Sequence, residues 1–216
     1  MTKNLKKRLL TSILLLSILF FSFINNYLLG YVLIVFAMLS ILEFSSMVKI
    51  ILNKKKYINF FINLIFILYI FYFCAIFLTF SSSIYLKILI FVILLTCIAS
   101  DIGGYVFGKI FKGPKLIKIS PKKTISGAVG SLIFSSTFAP LLIYYFTKNF
   151  EPNIIIIGLI TSISCQVGDL FFSFLKRKSS LKDTGNFLPG HGGVLDRIDS
   201  ILIGLPIGFL TLLTIY

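Results

Sequence analysis

SCQVGDLFFSFLKRKSSLKDTGNFLPGHGGVLDRIDS, residues 164–200, is the stretch that decides how this chain folds. It gathers four of the seven acids, Asp169, Asp183, Asp196 and Asp199, and the one histidine, His191. It also carries Lys176, Arg177, Lys178, Lys182 and Arg197 and a turn, Pro189-Gly190-His191-Gly192-Gly193. The sequence on either side is mostly apolar. Charge is expensive in a bilayer, so a cluster this dense beside apolar runs points to a working site at the edge of a membrane.

The rest of the composition agrees. The chain is 57% hydrophobic, with 24 Phe. Apolar runs near the ~20 residues that cross a bilayer recur along its length. The expectation is an all-α, polytopic integral membrane protein of about seven transmembrane helices. The expected spans are 9–24, 27–48, 57–80, 84–108, 125–146, 154–175 and 198–216. No small-x-small site follows the first run, so it is read as a span and not as a cleaved leader. Residues 1–99 form a set of N-terminal transmembrane helices. Residues 100–216 form a transmembrane catalytic region with loops at 109–124 and 176–197.

The formal charge is +14, but the bases sit in connections between apolar runs, which argues for a membrane and against nucleic acid. With a cytoplasmic N-terminus and seven spans, 19 of the 21 Lys and Arg fall on the inner side, leaving Lys87 and Lys148 outside. That bias sets the orientation and places the charged cluster toward the cytoplasm. The three cysteines, Cys74, Cys97 and Cys165, have no metal or disulfide spacing and read as packing residues.

Two acids lie within the earlier spans. Glu43 reads either as a helix-paired or snorkelling acid at the interface or as an acid at the edge of the site. Asp101 sits about 12 Å of helix rise before Lys109, a depth at which an acid is a functional candidate. Gly103, Gly104 and Gly108 nearby suit close helix packing. The loop at 109–124 holds six lysines, which fits a solvated inner loop touching anionic headgroups. Its end, Ser120-Pro121-Lys122-Lys123-Thr124, adds a helix start with a Ser or Thr cap and lysines beside it, an arrangement that binds phosphate.

Clustered carboxylates repel unless cations separate them, and hard cations such as Mg²⁺ take carboxylate oxygens together with phosphates. Lys and Arg would hold the remaining anionic oxygens. Gly190, Gly192 and Gly193 let backbone N–H groups approach phosphate closely. Together these are the parts of a phosphoryl or nucleotidyl transfer site. Asp196 and Asp199, three apart, would share a helix face. The plainer alternative is that Asp196 pairs with Arg197, Lys182 or Arg177, and that some bases, Lys178 first among them, only follow the charge bias.

The run SFLKRKSSLKDTGNFLPGHGGVLDRID, residues 173–199, closely resembles the C-terminal motif of the phosphatidate cytidylyltransferases, the CDP-diacylglycerol synthases. CQVGDL around Asp169, SDIGGY from Ser100 and KISPKKT from Lys118 resemble that family too. The resemblance is carried by the half of the chain from about Ser100 onward. It implies that Asp169 and Asp196 hold metal and that Lys176, Arg177, Lys182, Asp183, His191, Arg197 and Asp199 work in catalysis. Asp101, Ser120, Lys122, Lys123, Thr124, Ser173, Gly190, Gly192 and Gly193 would contact substrate. It further implies Mg²⁺, with room for a second cation such as K⁺; CTP and phosphatidic acid as substrates; and a bacterial inner (cell) membrane with the site facing the cytoplasm. A homodimer remains open. The family generally continues its Ser-Pro-x-Lys-Thr motif with Glu-Gly. Here Ser126-Gly127 stands instead, which removes an acid from that position.

Two other enzyme classes handle similar lipids. CDP-alcohol phosphotransferases carry an Asp-Gly-x2-Ala-Arg motif that is absent from this sequence, whereas CTP-dependent polyprenol kinases remain a rival. A cation-coupled transporter would use Asp101 and Asp169 on an ion path, but the sequence shows no internal repeat of the kind transporters carry.

Overall fold

The computed structural model describes residues 3–117, 120–148, 151–190 and 192–215. Among the described residues seven helices follow one another: α1 Lys3–Ile24, α2 Asn26–Ile51, α3 Lys56–Phe80, α4 Ile84–Phe111, α5 Ile125–Thr147, α6 Ile154–Lys178 and α7 Leu195–Ile215. Between α4 and α5 lie two short strands, β1 Lys115–Ile117 and β2 Ser120–Thr124. Helices α2 to α7 are long and apolar enough to cross a membrane, and α1 holds a shorter apolar segment, Leu9–Ile24. The protein is an all-α polytopic membrane protein.

Two compact units make up the chain. One contains Met1–Ser83 and Leu175–Ile198; the other contains Ile84–Phe174 and Asp199–Tyr216.

In the first unit, α1 packs on α2 and α2 on α3. Asn25 separates α1 from α2 and caps the second, its side-chain oxygen accepting from Tyr27 N at 2.9 Å and Leu28 N at 3.3 Å. An Asn in extended backbone does this because helix starts leave N–H groups unpaired. Inside the unit Phe44 stacks on Phe66, ring centroids 3.8 Å apart, and Met47, Val48, Ile70 and Phe77 are buried with them. Ile34, Met38 and Leu42 of α2 and Phe60, Phe61, Ile65 and Leu68 of α3 are exposed. Apolar faces of that size suit lipid contact.

In the second unit, α4 and α5 meet through glycine. A methyl added at Gly103 would lie 2.6 Å from the Gly130 carbonyl oxygen, and one at Gly127 would lie 2.8 Å from that of Gly104. Backbones this close require small residues, the usual device where lipid competes equally well for apolar side chains. Gly168 of α6 similarly admits the Asp199 carbonyl of α7, 2.6 Å from where a Cβ would stand. Polar groups at these faces bond one another: Ser100 to Ser162 at 2.8 Å, and Gln166 Nε2 to the Ala128 carbonyl at 3.2 Å.

The loop expected at 109–124 is more ordered than its charge suggests. Helix α4 continues through Phe111, and the strands pair antiparallel, with Lys115 opposite Thr124 and Ile117 opposite Ser120. Lys112 and Gly113 turn the chain with φ of 52° and 94°. Thr124 then caps α5, its hydroxyl accepting from Gly127 N at 3.1 Å. Ser126, standing where a family acid was expected, donates to the Lys112 carbonyl and so closes the hairpin base. Helix α6 likewise runs to Lys178, which puts Lys176, Arg177 and Lys178 in its last turn, where cations favour the negative end of the helix dipole. Helix α7 starts at Leu195, three residues before the expected start of its span.

Candidate active site

In the first unit, the turn between α6 and α7 is built around two carboxylates. Glu43 of α2 is 2% exposed. Its oxygens accept from Val194 N at 2.9 Å, Leu195 N at 2.8 Å and the Thr184 hydroxyl at 2.7 Å. A buried carboxylate is tolerable only with such donors, and the N-terminus of α7 adds its partial positive charge.

Asp196, in the first turn of α7, is the second carboxylate. Its Oδ1 accepts from Lys176 Nζ at 2.7 Å. Its Oδ2 accepts from Thr184 N at 2.8 Å and from Gly193 N at 3.1 Å, and the Thr184 hydroxyl lies 3.0 Å away. Lys176 is thus an ion-pair partner of Asp196. The pair is well buried, the Lys176 and Asp196 side chains being 14% and 8% exposed.

Two glycines give the turn its course. Gly190 and Gly192 have φ of 79° and 85°, the left-handed region that glycine enters without a steric penalty. Leu188 N donates to the Gly192 carbonyl at 2.9 Å and closes the loop. Asp183 lies against Gly192, its Cβ 3.3 Å from where a Gly192 Cβ would stand. Arg177, Lys182, Asp183 and Arg197 are exposed. His191 lies outside the described residues, as does the side chain of Lys122.

The second unit holds another charged set. Lys123 Nζ pairs with Asp169 Oδ2, and Ser173 donates to Asp169 Oδ1 at 3.3 Å. Ser200 donates to Asp101 Oδ2 at 2.7 Å. Asp101, Asp169 and Lys123 are close enough for their charges to interact. Lys123 and Asp169 are 24% and 34% exposed, so this pair is more open than the pair of Asp196 with Lys176. Asp199 is buried and its Oδ1 accepts from Ser200 N at 2.9 Å. Ser120 is half-buried in β2.

The structure therefore gathers Lys176, Asp183, Gly192, Gly193 and Asp196 in one unit and Asp101, Lys123, Asp169 and Ser173 in the other. The sequence pattern did not single out Thr184, Gly185 or Ser200, and left Glu43 between two readings. The available signal was that Glu43 is the only acid in the first hundred residues.

Among the described residues, no three or more His, Cys, Asp or Glu side chains gather as a metal cage. Mg²⁺ rarely uses one; one or two carboxylates with water and phosphate suffice. Asp169 and Asp101 are the carboxylates of the more open set, and the Lys123 ammonium already places a positive charge on Asp169. Both acids already accept protein donors, Asp169 from Lys123 and Ser173 and the more enclosed Asp196 from Lys176, Thr184 and Gly193.

Comparison with known proteins follows the same line. The model of the cytidylyltransferase family matches residues 1–215. The chain is 42% identical over 130 residues to a phosphatidate cytidylyltransferase of Rickettsia felis, covering 55% of this chain and 56% of that protein. It is 43% identical over 117 residues to that of Rickettsia typhi, covering 50% and 51%. To that of Staphylococcus aureus strain COL it is 47% identical over 112 residues, covering 50% and 42%. The chain spans about half the length of the curated relatives it matches.

Proposed function

This chain belongs to the cytidylyltransferase family, and from that premise we propose that it transfers the CMP moiety of CTP to phosphatidic acid, giving CDP-diacylglycerol and pyrophosphate for phospholipid synthesis. The observation that carries the proposal is the buried pair Lys176–Asp196, fixed at the start of a membrane span beside a left-handed glycine turn. It lies within the run that resembles the phosphatidate cytidylyltransferases, the activity for which the relatives are named.

The phosphate of phosphatidic acid is already an anion at neutral pH. Its oxygen forms a bond to the α-phosphorus of CTP as the bond from that phosphorus to the bridging oxygen breaks, and the electron pair leaves with pyrophosphate. No strong base is required. The protein's task is to align two anions and offset their repulsion. Lys176 brings positive charge to Asp196 and Lys123 to Asp169, and the left-handed backbone at Gly190 and Gly192 would let phosphate approach the turn closely. Asp169, with Asp101 near it, would hold Mg²⁺, which when bound would offset triphosphate charge. The diacylglycerol tails stay in the bilayer while the headgroup meets the site. The charge bias supports a site facing the cytoplasm, and the bacterial relatives support the inner membrane as its location.

The test is turnover in liposomes containing phosphatidic acid, with CTP and Mg²⁺, beside Asp196→Asn. Lipid-dependent CDP-diacylglycerol and pyrophosphate from the wild type, and at least ~100-fold less from the variant, are expected. A folded wild type that ignores phosphatidic acid but phosphorylates a polyprenol would replace the proposal with a CTP-dependent lipid kinase.

A further inference from the structure

Helix α7 begins in an unusual way. Val194, at its N-terminal edge, has an apolar side chain and so no acceptor for the first N–H groups of the helix, which elsewhere a local Ser, Thr, Asn or Asp would take. The acceptor comes instead from Glu43, 151 residues earlier in the chain, whose Oε1 takes Val194 N and whose Oε2 takes Leu195 N. The same Oε2 receives the Thr184 hydroxyl at 2.7 Å. One carboxylate of α2 therefore holds both ends of the turn: Thr184 soon after it leaves α6, and Val194 and Leu195 where it enters α7.

The fit around Glu43 leaves no spare room. A methyl at Gly185 would stand 2.5 Å from Glu43 Oε1. A methyl at Gly193 would stand 2.5 Å from Oε2 and 2.7 Å from Oε1. Both positions are glycine, and the turn closes on the carboxylate from two sides. Thr184 then links Glu43 to Asp196. Its hydroxyl lies 2.7 Å from Glu43 Oε2 and 3.0 Å from Asp196 Oδ2, while its backbone N–H stays on Asp196 at 2.8 Å. A hydroxyl has one proton to donate, so it serves one carboxylate at a time, and the N–H is the steadier contact with Asp196.

We propose that Glu43 is a positioning residue of the transfer site: it fixes the 184–195 turn and, through Thr184 and the first turn of α7, sets the carboxylate of Asp196 against Lys176. This inference rests on the reading that Asp196 works in CMP transfer. Glu43 itself is buried, and both of its oxygens are taken by protein donors. A helix-capping role alone would affect folding; a positioning role also changes turnover per folded molecule.

Two measurements on the full chain in detergent separate these possibilities. The first is amide hydrogen exchange without substrate. In Glu43→Gln the new amide NH₂ must face either Val194 N–H or Leu195 N–H, donor against donor, so at least one bond is lost. Exchange at Val194 and Leu195 should quicken by at least about tenfold while that of α3 stays unchanged. The second is steady-state kinetics on monodisperse, folded protein. Glu43→Gln should lower kcat about 10- to 100-fold with KM for CTP within about threefold, the pattern of an interaction realised in the transition state. Thr184→Val should lower kcat about tenfold, and Thr184→Ser, which restores the hydroxyl, should bring it back to within about threefold. Wild-type exchange rates at Val194 and Leu195 in Glu43→Gln, or a wild-type kcat in folded Glu43→Gln and Thr184→Val, would overturn the inference. If the wild type itself makes no CDP-diacylglycerol, the proposed function fails, and exchange still decides whether Glu43 holds the turn.

Discussion

Replacing Gly193 with alanine puts one methyl where the turn has no space, and its size sets the expected effect. The Cβ would stand 2.5 and 2.7 Å from the two oxygens of Glu43 and closer still to the Thr184 hydroxyl. To reach an ordinary contact at 3.4 Å, those oxygens would have to retreat by 0.7 to 0.9 Å. Their hydrogen bonds to Val194, Leu195 and Thr184 are 2.7–2.9 Å long, and most would not survive such a shift. Gly193 is not among the glycines with positive φ, so crowding, not backbone strain, is the cause. Each hydrogen bond to a charged group contributes about 1.5–3 kcal/mol, so losing two costs about 3–6 kcal/mol. For a chain of this size that corresponds to a fall in Tm of at least about 6 °C. The control is Gly30→Ala in α2, whose Cβ would meet only Leu78 Cδ2 at 3.7 Å and whose helix propensity improves by about 0.5–1 kcal/mol. Thermal unfolding of both variants in the same detergent checks the reasoning. A Gly193→Ala protein within about 2 °C of Gly30→Ala would refute the packing of the turn around Glu43.

Other outcomes follow from the same contacts. Lys176→Met leaves the 8%-exposed Asp196 without its cation, and should cost about 3–5 kcal/mol in unfolding experiments and abolish turnover. Asp169→Asn should cut CDP-diacylglycerol formation by roughly 100-fold in liposome assays while the protein stays folded. Thr124→Ala removes the cap on Gly127 N and should lower stability by about 1 kcal/mol, read by thermal unfolding. Chelation with EDTA should stop turnover and added Mg²⁺ should restore it; unchanged turnover under chelation would remove Mg²⁺ from the account.

The spans were legible because bilayer thickness fixes the length of an apolar run, so α2 to α7 match expected spans to within a few residues at most ends. Their ends moved where charge was read as loop: Lys176 to Lys178 extend α6 because cations favour a helix C-terminus. The glycines of α4 were legible as packing residues, and Thr124 as a cap, because both are local rules. The hairpin was not, since six lysines in fifteen residues hide the short alternation of β1 and β2. The grouping of Lys176, Asp183, Gly192, Gly193 and Asp196 lies within one short run and could be read from it. Glu43 could be noticed but not assigned, because its partners are more than 140 residues away and include two backbone N–H groups, which leave no mark in a sequence.

The central claim is that the cytidylyl group, and not a terminal phosphate, moves to the lipid. The most direct measurement follows label from CTP into the lipid fraction of phosphatidic acid liposomes carrying the purified protein. In one reaction the α-phosphorus is labelled and in the other the γ-phosphorus. The account predicts α-label in the lipid and γ-label in released pyrophosphate, both lost in Asp196→Asn. The γ-label appearing in the lipid, with α-label left in soluble CDP, would contradict it.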